Sequence, residues 1–215
     1  MPLRFEPDVT QAAWFATRDE PWVQLCCLGP SGFEHYGRLF HPLQPGGVET
    51  DPEDLVNVEG DLEESHLRRL VGVLARHTGT SDDCFFALWE GFGMIHGSPS
   101  VGVGDPEIQI PPSFPPEVMA GPRVAIPNRR YLLIRGALRD VGDWGSADLL
   151  PGQPRRINSP NLVWPADQAW LVATEIDQPW TGVGGSAALL EDLLADPVLD
   201  VEGTELTDRP PYRRS

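Results

Sequence analysis

The chain has 215 residues, 40% of them hydrophobic, with 32 acidic against 16 basic residues and a formal net charge of −16. This length supports one buried core, whereas two domains would each be small, so we expect a single domain over 1–215. The acidic excess would repel phosphate backbones, which argues against nucleic-acid binding, and no apolar run approaches the roughly 18 residues of a membrane span.

All 16 basic residues are arginine, because the chain contains no lysine. The absence of lysine removes Schiff-base chemistry, the Walker phosphate lysine and the SxxK nucleophile. The three cysteines are an odd number and include the neighbours Cys26 and Cys27, which argues against a disulfide framework and a CxxC redox pair. The N-terminus lacks a basic region followed by an apolar run. We therefore expect a soluble, cytoplasmic protein, and no motif implies a cofactor.

The first part of the chain predicts a short helix followed by a hairpin. Asp8 is a candidate N-cap for a helix that extends to Ala16. The apolar run at 22–28 predicts a strand, and the glycine-rich turn at 29–32 predicts that 33–40 pairs with it.

The middle of the chain predicts a long helix, a central strand and a second hairpin. Apolar residues at three- and four-residue spacing, with acids early and arginines late, predict a helix over 61–77. The run 84–93 has no polar alternation before Glu90, which is typical of a strand buried on both faces. The segments 123–127 and 130–138 predict a hairpin around Asn128 and Arg129.

Three segments predict irregular structure. Residues 44–60 and 97–122 are rich in Pro and Gly and predict mobile loops, and residues 198–215 predict a frayed tail. Between them, 168–176 predicts a strand, and Ser186 is a natural N-cap for a helix that ends at residue 194.

The predicted strands outnumber the helices and do not alternate with them, which argues against a doubly wound sheet. We therefore expect an α+β fold with long Pro/Gly-rich loops. Its core would be a mostly antiparallel sheet of about five to seven strands, with a few helices packed on one side.

Three stretches in chain order carry a pattern that spans most of the sequence. They are GFEHYGRLFHP at 32–42, the run from HTGT to CFFALWEGFG at 77–93, and 159–186, which holds SPNLVWPADQAWLVATEID and ends in VGGS. This pattern resembles a family of uncharacterised actinobacterial proteins with HTxTxxxCWFALWxGxG-like and SPNLWWPxDRAWxVATEID…VGGS-like stretches. The resemblance implies no established activity. Phe85 and Val163 depart from the pattern, both by apolar exchanges that leave the expected fold intact.

Two acids near the end of the strand at 168–176 are the first candidate site. On one strand Glu175 and Asp177 would project from the same face about 6 to 7 Å apart, which suits shared metal coordination or an acid–base pair around a water. Alternatively, the strand ends there and the acids are solvated or paired with Arg135. Nearby aromatic rings would wall a pocket or belong to the core. The candidate ligand-binding residues are Trp89, Tyr131, Arg135, Trp164, Glu175 and Asp177.

A second candidate is the glycine-rich turn predicted at 181–186, which opens a helix. Backbone N–H groups at Gly184, Gly185 and Ser186 could cradle an anion. The alternative is a tight turn that needs glycine, followed by a serine cap. Neither a Walker lysine nor a GxGxxG motif accompanies the turn.

No known catalytic motif occurs in the sequence, and the five histidines have no HxH or HExxH spacing, so no metal site is predicted. The strong charge favours a non-enzymatic interaction module, immunity-like or regulatory, whose acidic surface engages a basic protein partner. The alternative is a small-ligand or divalent-metal-binding protein, or a hydrolase-type enzyme, that uses the Trp/Arg/carboxylate pocket. The sequence does not fix the oligomeric state.

Overall fold

A computed structural model describes residues 3–45, 55–57, 60–99, 109–149 and 152–208. Within these ranges the strands are β1 (Arg4–Phe5), β2 (His35–Phe40), β3 (Leu43–Pro45), β4 (Leu55–Asn57), β5 (Cys84–Trp89), β6 (Ser98–Pro99), β7 (Gln109–Ile110), β8 (Val124–Ile126), β9 (Arg129–Gly136), β10 (Leu162–Pro165), β11 (Leu171–Thr174), β12 (Trp180–Gly185) and β13 (Val201–Thr204). The α-helices are α1 (Ala13–Ala16), α2 (Trp22–Cys27), α3 (Glu64–Leu74), α4 (Gly93–His96), α5 (Pro116–Met119) and α6 (Ala187–Leu194). Short 3-10 helices occur at Val9–Ala12, Ala75–His77 and Leu138–Asp140.

The main sheet contains nine strands of the described chain, in the order β1-β9-β5-β10-β11-β12-β2-β13, with β8 also paired to β9. Every one of these pairings is antiparallel. The predicted α+β class with a mostly antiparallel sheet is therefore confirmed. The strand number exceeds the expected five to seven because β1 and β13, of two and four residues, are too short for a recognisable pattern. In addition, β12 occupies most of the segment predicted to form a turn.

Strand β5 lies between β9 and β10 and divides the core into two layers. Phe86 and Leu88 pack in the cluster that holds α3 and α6. Phe85 and Ala87 pack in the opposite cluster, which holds residues of α1 and α2. The predicted central strand, buried on both faces, is thus confirmed. The expectation that the helices pack on one side is wrong, because a strand that is apolar on both faces needs cover on both.

The segment 22–28, predicted as a strand, forms helix α2 instead. Its buried residues are Leu25, Cys26 and Cys27. A short apolar run does not distinguish a strand from a buried helix, and this run begins directly after Pro21, which is favoured at a helix start. The predicted hairpin between 22–28 and 33–40 is therefore also wrong, and β2 pairs with β12 and β13.

Several local predictions are confirmed. The helix expected over 61–77 is α3 followed by one 3-10 turn. Asn128 adopts a φ of 65° between β8 and β9, as the hairpin requires. The Oγ atom of Ser186 accepts the N–H of Leu189 at 3.3 Å and caps α6. Asp8 likewise accepts the N–H of Thr10.

The three segments predicted to be irregular are described only in part. Of 44–60, residues 46–54, 58 and 59 lie outside the described residues, and β3 pairs with β4. Of 97–122, residues 100–108 lie outside them, and α5 and the β6–β7 pair occupy part of the rest. The frayed-tail prediction for 198–215 is corrected at β13, which pairs with β2, while 209–215 lie outside the described residues. No helix in the described ranges has the length and apolar character needed to cross a bilayer.

Glycine at position 182 allows α2 to approach the sheet closely. A Cβ atom on Gly182 would lie 2.0 Å from the carbonyl oxygen of Cys27, which is backbone and has little freedom to move. We predict that Gly182→Ala lowers the free energy of unfolding by about 1–3 kcal/mol or more, measured by urea denaturation. The control is Gly203→Ala in β13, where a Cβ would meet nothing within 4 Å. Equal stability of the two variants would contradict this close packing.

Candidate functional site

The structure divides the predicted ligand-binding residues between two ends of the sheet. Trp89 pairs with Tyr131 at one end of the β5–β9 ladder, and Phe85 pairs with Arg135 near the other. Tyr131 and Arg135 are four residues apart, about 13 Å along the strand. Trp164 pairs with Phe85 and stacks on its ring, with the centroids 5.4 Å apart. Arg135 and Trp164 therefore lie apart from Trp89 and Tyr131.

Glu175 lies at the Trp89 end, where its partner is Arg129. The Nε atom of Arg129 donates to both carboxylate oxygens of Glu175, at 3.1 and 3.3 Å, and its Nη2 atom donates to Oε1. The guanidinium also lies 5.0 Å from the ring centroid of Trp22 and 5.5 Å from that of Trp89. Asp177 is 3.8 Å from Nη2, but its side chain is 76% exposed.

Glu175 and Arg129 satisfy each other's charge. The Glu175 side chain is 7% exposed, and Arg129 occupies both of its oxygens. Because β11 ends at Thr174, Glu175 and Asp177 do not share a strand face, which agrees with the alternative interpretation that the strand ends there. The arginine that pairs with Glu175 is Arg129 and not Arg135. Among the described residues, no group of three or more His, Cys, Asp and Glu side chains could hold a metal ion. A structural ion pair explains this cluster.

Two groups near the Arg129–Glu175 pair, the Tyr131 phenol and the Cys26 thiol, remain uncharged at neutral pH. Burial raises the pKa of Tyr131 well above its usual range. The hydrogen bond with Cys27, together with burial, raises the pKa of Cys26. Neither the phenol nor this thiol is therefore set up as a nucleophile or general base.

Arg135 forms a separate ion-pair network at its own end of the sheet. Its Nε and Nη2 atoms donate to the two oxygens of Asp83 at 2.6 and 2.7 Å, and its Nη1 atom lies 3.4 Å from Glu6. The hydrogen bonds from Arg135 lower the pKa of Asp83. Its guanidinium also covers the ring of Phe85 at 4.9 Å.

The glycine segment does not form the predicted anion cradle. Gly184 and Gly185 belong to β12, where a Cβ would lie 2.5 Å from Phe33 and 2.6 Å from Leu189, respectively. Both glycines thus permit close packing. The carboxylate of Glu34 accepts the N–H of Ala187 at 3.0 Å, so the chain supplies its own acid at the start of α6.

A different cavity, of about 240 Å³, lies between the start of α3 and the segments 141–144 and 155–159. We call it the Arg155 pocket. Its lining includes Asp61, Leu67, Trp144, Arg155, Arg156 and Ile157. Cationic, aromatic and aliphatic residues thus converge on one small cavity, and none of them is among the predicted ligand-binding residues.

Arg155 is the distinctive residue of this pocket. It is 8% exposed, and its Nη atoms donate to the carbonyl oxygens of Met94 and Pro111 and to the Oγ atom of Ser113, at 2.7–3.0 Å. These acceptors are all neutral. Its Nε atom is buried and has no hydrogen-bond partner, and the same holds for the Nε1 atom of Trp144. Two residues that line this pocket therefore each carry a buried N–H donor without a hydrogen-bond partner.

The other two arginines that line the pocket have acidic partners. Arg156 pairs with Asp61 at 3.1 Å, and Arg68 pairs with Glu64 at 2.7 Å. No acidic side chain of the described residues forms an ion pair with Arg155. Burial of an unpaired charge costs several kcal/mol. The pocket therefore combines an uncompensated positive charge with free donors, which suits an anion that carries hydrogen-bond acceptors.

Comparison of the chain with protein-family models, with curated proteins and with solved structures gave no match. The geometry of the pocket therefore carries the functional argument. In the sequence, the one signal of this site is the dipeptide Arg155-Arg156, which stands in a Pro/Gly-rich segment of an acidic chain.

The buried pair at Glu175 should contribute far more to stability than an exposed one. We predict that Glu175→Gln lowers the free energy of unfolding by about 3 kcal/mol, because it leaves the largely buried Arg129 charge with the exposed carboxylate of Asp177, 3.8 Å away, in place of its hydrogen-bonded partner. The control is Asp82→Asn, whose partner Arg139 is two-thirds exposed, and which should cost less than about 1 kcal/mol. Urea denaturation of both variants measures the difference. Losses of the same size would show that Glu175 and Arg129 are not a buried, mutually dependent pair.

Proposed function

We propose that this protein is a binding protein that takes a small anionic ligand into the Arg155 pocket. The supporting observation is that Arg155 is buried without an acidic partner in a chain with 32 acidic residues. The other described arginines form ion pairs, with the exception of the exposed Arg4. A ligand anion would supply the missing charge.

The two unsatisfied donors specify the kind of anion. The Nε atom of Arg155 and the Nε1 atom of Trp144 are both N–H donors, so the ligand must present acceptor oxygens. Hydrogen bonds between a cation and an ionised oxygen are the strongest of this type, and burial strengthens them further. The chain as a whole is negatively charged, so its acidic surface repels a polyanion. A small anion that enters the pocket meets the positive charge of Arg155 instead, and we therefore expect selectivity for small anions.

Thermal melts with single anions test this proposal. Acetate, butyrate, inorganic phosphate and sulfate are each titrated at constant ionic strength. A ligand at a hundred times its dissociation constant adds about 2.7 kcal/mol, which raises the Tm by roughly 5 to 10 °C for a chain of this size. We expect such a shift with at least one of the four anions.

Substitutions of pocket residues test whether the anion binds in the Arg155 pocket. Arg155→Gln should abolish the shift, and Trp144→Phe, which keeps the ring but removes the Nε1 donor, should weaken binding severalfold. Arg139→Gln, a change at a surface ion pair outside the pocket, should leave the shift intact. If no anion stabilises the wild type, or if both pocket variants retain the full shift, the proposal is wrong.

A second function, engagement of a basic protein partner by the acidic surface, has support from the ion pairs. Because the described surface arginines other than Arg4 are already paired, acids without an arginine partner dominate the remaining charge on the described surface. Exposed examples are Asp19, Glu117, Asp143, Asp148 and Glu191. Such a field attracts a cationic partner from a distance.

If the basic partner docks on a defined surface, removal of acidic charges from that surface should lower its affinity more than removal of the same number of charges elsewhere. We expect an arginine-rich peptide to bind with an affinity that falls as salt rises, measured by fluorescence anisotropy. The double variant Asp143→Asn/Asp148→Asn is compared with Glu191→Gln/Asp192→Asn, which removes the same number of charges elsewhere. A docking surface should make one pair lower the affinity by at least severalfold more than the other. Equal losses would show general attraction to net charge without a defined surface.

A further inference from the structure

A second cavity of about 210 Å³ adjoins the Arg155 pocket. The side chain of Trp144 lines both cavities. Apart from Trp144, the second cavity is lined mainly by apolar side chains, among them Phe5, Phe114, Val118 and Ile134. We call it the Phe114 cavity. Its one charged lining residue is Arg4, which is exposed.

The two cavities differ in the residues that line them, and they share one lining residue, Trp144. The Arg155 pocket holds the uncompensated charge of Arg155, and two of its lining residues, Arg155 and Trp144, carry unsatisfied donors. The Phe114 cavity is lined mainly by residues with apolar side chains, which can offer dispersion contacts and removal from water. A charged group and an apolar group placed side by side match an amphipathic molecule.

We propose that the ligand is a monocarboxylate with an apolar chain, whose carboxylate binds in the Arg155 pocket and whose chain passes Trp144 into the Phe114 cavity. This inference rests on the proposed function. It specifies the ligand class for the same site.

The charge of the pocket favours a carboxylate over a phosphate. Arg155 supplies one positive charge that is not yet compensated, which a single negative charge neutralises. Asp61 and Glu64 also line the pocket, and each is already paired with an arginine. A second negative charge on the ligand would therefore meet these carboxylates rather than a free cation.

The Phe114 cavity predicts how affinity changes with chain length. Each methylene group removed from water contributes about 0.8 kcal/mol, or roughly a fourfold gain in affinity. We therefore expect the affinity to rise from butyrate through hexanoate to octanoate, and to level off once the cavity is filled. Octanol has the same chain without the charge and should bind at least tenfold more weakly than octanoate.

Isothermal titration calorimetry with acetate, butyrate, hexanoate, octanoate, octanol and inorganic phosphate measures this series below the micellar range. The decisive variant is Val118→Trp, which fills the Phe114 cavity from the short helix α5. It should bind acetate and butyrate as the wild type does but lose the gain for octanoate. Val198→Trp, at a half-exposed position outside both cavities, is the matched control and should retain the whole series.

The outcomes separate this inference from the proposed function. Carboxylates that bind through Arg155 with the same affinity at every chain length would overturn the inference and leave the proposed function standing. Tighter binding of phosphate than of octanoate would also overturn the inference and leave the proposed function standing. The same conclusion would follow if Val118→Trp still bound octanoate more tightly than butyrate, as the wild type is expected to do. Failure of every anion to bind would overturn both. A chain-length gain that Val118→Trp removes and Val198→Trp keeps would support the inference.

Discussion

The burial of β5 on both faces is the constraint on which the rest of the structure depends. Phe85 and Ala87 face one layer of helices, and Phe86 and Leu88 face the other. A strand without a solvated face forces the chain to cover two surfaces, so the short helices α1 and α2 cover one face while α3 and α6 cover the other. The ion pairs of Arg129 and Arg135 lie at opposite ends of β9, where charged groups find partners outside the two apolar layers.

Two buried arginines show how context separates structure from function. Arg129 has a carboxylate at hydrogen-bond distance and two tryptophan rings beside it, so its charge and its donors are satisfied within the chain. Arg155 is more deeply buried and has only neutral acceptors. The tryptophan rings near Glu175 surround an ion pair whose charges are balanced within the chain. Arg155, whose charge is not balanced, lies in a loop with little apolar pattern. Ligand contacts commonly occur in such loops.

Sequence patterns predict the elements whose signals are local. The long helix, the Asn128 turn and the Ser186 cap follow from spacing and from single-residue chemistry. Helix α2 does not, because a seven-residue apolar run fits a strand or a buried helix equally well. The site is harder still, since the sequence shows 16 arginines but not which of them lacks an acid. That information depends on contacts such as that of Arg155 with Ser113, 42 residues away.

The position of β2 has a consequence for how the chain is made. This strand comes from the first 40 residues, yet its neighbours in the sheet are β12 and β13, which end at Thr204. During synthesis β2 thus emerges long before either partner exists, because about 140 residues separate the end of β2 from the start of β12. Pairings between such distant segments also fold slowly. Until β12 and β13 are made, β2 therefore has unpaired edges, and unpaired strand edges promote aggregation.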